Sequence, residues 1–77
     1  MFMNKRGIIE KNSEKIEVNV PETDIWIATE FDNLRVGDVF RFVYEDAHAY
    51  SQAEEVLCQP YYNELLRRTV VDVRSVD

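Results

Sequence analysis

The run Leu34-Arg35-Val36-Gly37-Asp38-Val39-Phe40-Arg41-Phe42-Val43-Tyr44 limits the fold more than any other stretch of the chain. Gly37 sits where a turn with positive φ is expected, a conformation that costs glycine nothing because it has no Cβ. Beyond it the side chains alternate. Phe40, Phe42 and Tyr44 fall on one face of an extended segment, and Val39, Arg41 and Val43 on the other. This period of two predicts a strand whose Phe40 and Phe42 anchor a core, with Leu34 closing one end of it.

The rest of the chain continues the β pattern up to residue 45. Residues 7–20 predict a β-hairpin, with Asn12-Ser13 in the turn and Ile16, Val18 and Val20 on one face. Pro21, which has no amide hydrogen to give to a ladder, should end that strand. Residues 24–29 predict a third strand, apolar on both faces, with Trp26 assigned to the core. Residues 68–76 predict a last strand, expected to pair near the N-terminal hairpin and to gather Lys5, Arg6, Lys11, Arg68 and Arg74 at one end.

Residues 46–67 differ in composition and favour helix. Ser51 and Glu54 have the spacing of a capping box, and Asp46 is an earlier alternative cap. Pro60 should break the segment and start a second short helix, turning Tyr61 and Leu65, with Tyr62 and Leu66 beside them, toward the core. The expected fold is therefore α+β, mainly β: one domain over residues 1–77, with a small five-stranded antiparallel, barrel-like sheet and a helical insertion before the last strand. Closure into a barrel would remove exposed sheet edges. With a single cysteine, Cys58, and no Cys/His cluster, neither an intrachain disulfide nor a structural zinc is expected, and packing has to hold the fold together.

Charge is unevenly distributed. Residues 16–66 carry eleven acidic and two basic groups, whereas the segments on either side are slightly basic. Such a middle repels nucleic acid and attracts a basic partner. No run has the length of a membrane span, and the N-terminal MFMNKRGIIEKN lacks the apolar core and cleavage site of a signal peptide. With a lone cysteine, these features predict a cytoplasmic protein without membrane contact.

The string Leu34-Arg35-Val36-Gly37-Asp38-Val39-Phe40 resembles the L-x-V-G-D-x-F turn that opens a strand in many small β-barrels. SH3-like barrels, PUA- and ASCH-like domains and short phage-encoded proteins are among them. The resemblance implies a turn into a barrel strand and carries no catalytic residue with it. PUA- and ASCH-like domains are longer and more basic around their RNA-binding cleft. In size and charge the chain is more similar to phage accessory proteins that bind and modulate a host protein.

Candidate chemistry is sparse. His48 lies beside Glu45 and Asp46, and Cys58 is the only thiol, but ten residues apart on a helix the two would not share a face. No EF-hand spacing or glycine-rich phosphate loop is present. No catalytic residue, metal or cofactor is assigned. The expected contact surface is the acidic and aromatic insertion: Glu45, Asp46, Tyr50, Glu54, Glu55, Tyr61 and Tyr62. The leading expectation is a protein-interaction module, an inhibitor or modulator encoded by a phage or mobile element and acting on a protein with a basic surface. Carboxylates imitating phosphates are one version of it, and self-association stays open. The alternative is a small-barrel module for RNA or single-stranded DNA, using the basic ends and Arg35 and Arg41 among aromatics. A small enzyme ranks third.

Overall fold

The computed structural model describes residues 6–76. Lys5, which was expected in a basic cluster, lies outside that range. Among the described residues eight antiparallel strands form one sheet: β1 (Arg6–Glu10), β2 (Lys15–Asn19), β3 (Trp26–Thr29), β4 (Val39–Tyr44), β5 (Ala49–Tyr50), β6 (Glu54–Val56), β7 (Tyr61–Asn63) and β8 (Arg68–Ser75). The order across the sheet is β1-β8-β6-β4-β2-β3, with β5 also on β4 and β7 also on β8. The runs expected to be strands are strands. The count of five and the helical insertion are not found: residues 46–67 contribute β5, β6 and β7, and Glu45–Ala47 forms only a short 3-10 turn.

Segment 49–63 is best understood as one long strand broken by two bulges. Residues 51–53 oppose only Arg41 and Phe42 on β4, so one residue is extra. Ser51 occupies that bulge. Its backbone N–H donates to the Phe42 carbonyl, and its hydroxyl accepts the Phe42 N–H at 2.7 Å. The hydroxyl thus serves the ladder and not a helix cap. Residues 57–60 oppose only Val71 and Asp72 on β8, so two residues are extra. Pro60 falls in this second bulge, a place in a sheet that tolerates a missing donor. The segment's helical composition is overridden because β4 and β8 each present an edge that needs hydrogen-bond partners.

The expected pairing of β1 with β2 is also absent. Among the described residues β1 pairs only with β8, in register Arg6↔Arg74 to Glu10↔Val70, while β2 lies between β3 and β4. In a flat sheet β1 and β2 would be four strand spacings apart, about 19 Å. The link from Glu10 to Lys15 spans at most about 18 Å when fully extended. The sheet is therefore strongly curled, and Ile9 of β1 and Ile16 and Val18 of β2 pack against the same core. The sheet remains open, because among the described residues β1 and β3 do not pair with each other.

The core lies on the inner face of the curl: Ile16, Phe31, Leu34, Phe40, Phe42, Val56, Val71 and Val73. Phe40 and Phe42 meet edge to face, with ring centroids 5.8 Å apart. Leu34 and Phe31, from a 3-10 turn at Phe31–Asn33 and its end, plug the core as expected of Leu34. Gly37 has φ +93, and its turn is tied down by the Asp38 N–H to the Arg35 carbonyl, the Gly37 N–H to the Val56 carbonyl, and the Arg35 N–H to the Asp38 carboxylate. Leu65 and Leu66, expected in the core, are exposed in the β7–β8 turn, Leu65 at 96%.

The β4–β5 and β7–β8 hairpins have four-residue loops that each end in a left-handed residue, His48 at φ 51 and Arg67 at φ 56. For a non-glycine residue this conformation costs about 1–2 kcal/mol. His48→Gly and Arg67→Gly are each expected to stabilise the fold by about 0.5–1 kcal/mol, since glycine gives back part of the gain as unfolded-chain entropy. Gly37→Ala is expected to destabilise it by about 1–2 kcal/mol through φ alone, because a Cβ there meets no atom within 4 Å. Urea unfolding of the three variants checks these signs.

Candidate functional site

The outer face of the sheet carries a charged and aromatic row. Glu17 of β2 stands opposite Arg41 of β4, and the Arg41 Nε and Nη2 both donate to Glu17 Oε1, at 3.1 and 2.9 Å. The Arg41 guanidinium is held between two rings, 4.0 Å from the centre of Trp26 and 3.6 Å from that of Tyr50. Farther along the row, Glu55 of β6 accepts from the Nε and Nη2 of Arg74 on β8. Trp26 is thus half-buried on the outer face and not in the core. Arg41, which the nucleic-acid alternative needs free for phosphate, is stacked and already neutralised. The sequence carried half of this signal, opposite charges on outward positions of two strands. It did not show that β2 and β4 are neighbours, because β3 lies between them along the chain.

The seven residues expected to form one contact surface are spread out. Glu45 and Asp46 lie in the β4–β5 loop, where Glu45 pairs with Lys15 at 2.6 Å and holds its ammonium above its usual pKa. Tyr50 and Glu55 are on the outer face. Tyr61 is on the same face toward the far end of β8, and its hydroxyl donates to Asp72 at 2.9 Å, which raises its pKa. Tyr62, the next residue along β7, points to the opposite face and is exposed. Glu54 points inward, opposite Phe40 and Ser75, and its Oε2 is buried without a hydrogen-bond partner.

The expected basic end is likewise dispersed. β8 does pair with β1, but Arg6 and Arg74 sit at one end of that ladder and Lys11 and Arg68 at the other. Lys11 pairs with Asp32, Arg68 with Glu10 and Arg74 with Glu55. His48 lies in an exposed loop and Cys58 in the β6–β7 bulge, on separate elements. Among the described residues no group of three or more metal-ligating side chains converges, and no helix is long and apolar enough to cross a membrane. A groove of about 680 Å³ runs between the β1–β2 link and the end of β3, floored by Ile16 and Phe31 and walled by Lys11, Lys15, Thr29 and Glu30; it contains neither His48 nor Cys58.

A feature the sequence reading passed over lies at β3. Ile25 and Ile27 are 58% and 56% exposed on the same sheet face as Val18, where the apolar inner face runs past the core to the edge. Glu22, Asp24 and Glu30 flank them, and none of the three is in an ion pair among the described residues. Comparison with protein-family models, curated proteins and solved structures gave no match to this chain.

Burial raises the Glu54 carboxyl above its ordinary 4.5, with a hydrogen bond to Ser75 opposing in part. The native state therefore holds this proton more tightly than the unfolded chain does. The protonated group's contribution to stability is complete below about pH 4.5 and is lost as the pH rises through the raised value. Glu54→Gln is expected to match the parent near pH 4 and to gain on it as the pH rises above about 4.5, levelling off once the raised value is passed. A difference between the two that stays flat across that range in urea unfolding would count against the assignment.

Proposed function

We propose that the chain is a protein-interaction module that binds a partner with a basic surface and modulates it, in the manner of small phage or mobile-element accessory proteins. The observation that carries this reading is the pairing of charges. Five cations, Lys11, Lys15, Arg41, Arg68 and Arg74, are neutralised by the chain's own carboxylates. The acids around β3 are left free, next to exposed isoleucines. Free carboxylates beside apolar area favour a partner that brings both cations and apolar side chains. The same pairing weighs against the nucleic-acid alternative: among the described residues the cations in no ion pair are Arg6, Arg35 and Arg67, on three separate elements, and a phosphate backbone needs a continuous run of uncommitted positive charge. Mimicry of phosphates by carboxylates is a narrower form of the proposal.

Affinity capture from the source cells at graded salt, with retained proteins identified and retested pure, checks the reading. A basic partner is expected to bind at about 0.1 M salt and to weaken at least tenfold by about 0.5 M, where screening is strong. A single-stranded oligonucleotide is expected not to bind at low salt. Partner affinity that is flat with salt, or tight oligonucleotide binding, overturns the reading.

A further inference from the structure

We infer that the free edge of β3 is the contact site, and that it takes an extended segment of the partner as an added strand. The inference rests on the proposed function and specifies its geometry. The Val20 N–H donates to the Ile25 carbonyl at 2.9 Å, so that carbonyl faces β2, while the Ile25 N–H donates to the Thr23 hydroxyl in the turn. In an antiparallel ladder this direction alternates along the strand. Ile27 and Thr29 therefore also face β2, and Trp26 and Ala28 direct their N–H and C=O groups outward. Strand β3 ends the sheet order, so among the described residues these groups have no strand partner. They form a template for a further strand.

The side chains describe what fits. On the inner face, a strand added beside β3 lies against the exposed Ile25 and Ile27 and needs apolar residues at alternate positions. At its two ends it meets Glu22 and Asp24 on one side and Glu30 on the other, and so needs Lys or Arg there. A second copy of β3 is disfavoured. Antiparallel pairing of two copies about Ile27 would set Asp24 of each against Glu30 of the other, and like charges placed opposite each other destabilise a ladder. The occupant is thus a basic, alternately apolar segment of another protein.

The test uses a nine-residue peptide with valines at three alternate positions, threonines between them and a Lys-Arg pair at each end. Amide exchange of the whole chain is followed by NMR. In the free chain the Trp26 and Ala28 amides are expected to exchange fast and those of Ile27 and Thr29 slowly. At saturating peptide the first two are expected to slow at least tenfold. Ala28→Pro removes an outward N–H at an edge position that accepts proline, and should abolish binding while Thr29 stays protected. Asp24→Lys combined with Glu30→Lys leaves the edge backbone intact and should weaken binding at least tenfold; it guards against misfolding of the proline variant. Fast exchange at Trp26 and Ala28 with millimolar peptide overturns the inference, and so does equal binding by Ala28→Pro. So does slowing at these amides with chain concentration alone, which would make a second copy the occupant. A captured basic partner that still binds Ala28→Pro in a salt-sensitive way overturns the edge site and leaves the proposed function standing.

Discussion

The strand Glu54–Val56 joins the two halves of the sheet. On one side it pairs with β4, and through β4 with β2 and β3; on the other it pairs with β8, and through β8 with β1. Without it the sheet order falls into two pieces, apart from the local pairings of β5 and β7. Val56 is fully buried at this junction, and its N–H and carbonyl are bound to the turn that carries Gly37. The turn, the central strand and the core are therefore one cooperative unit. The two bulges on either side let this short segment serve two neighbours. Each shifts the register so that the chain leaves β4's edge and continues along β8's.

This dependence explains what could be read from the sequence. Residues 39–44 announce a strand because alternation is a local property, and Gly37 announces its turn because the need for positive φ is local too. Pro21 ends β2 for the same reason, with the following turn held by the Thr23 N–H and hydroxyl on the Val20 carbonyl. Residues 46–67 carry no such mark. Ala, Glu and Leu there suit a helix, and Ser51 with Glu54 imitates a cap. What decides the matter is the unpaired edges of β4 and β8, which are distant in sequence or follow later in the chain. Hydrogen bonds to those edges outweigh a helix preference worth tenths of a kcal/mol per residue.

The candidate site was less legible than the fold. The acidic character of the middle segment was plain, and it remains the strongest functional signal. Which acids are free depends on cross-strand pairs. Glu17 faces Arg41 only because β2 lies beside β4, and Glu55 faces Arg74 only because β6 lies beside β8. Glu54 and Glu55, adjacent in sequence, separate to opposite faces, and one becomes a desolvated acid while the other joins an ion pair. Ile25 and Ile27 read as ordinary strand residues. Their exposure follows from the end position of β3 in the sheet, which composition does not encode.

An open sheet of this size faces the hazard that closure into a barrel would have removed. Exposed edges recruit other chains, and natural proteins blunt them with charge, proline or bulges. At β3 the blunting is selective. Three acids and the adjoining Pro21 surround a stretch whose centre stays apolar and whose outward backbone groups have no strand partner among the described residues. Like charge repels copies of the same strand while leaving the edge attractive to a strand of opposite charge. An edge protected only against aggregation would carry its charge in the middle, at Ile25 or Ile27, where any added strand would meet it. Placing the charge at the flanks and isoleucine at the centre disfavours a self-pairing strand and leaves room for the basic one we infer.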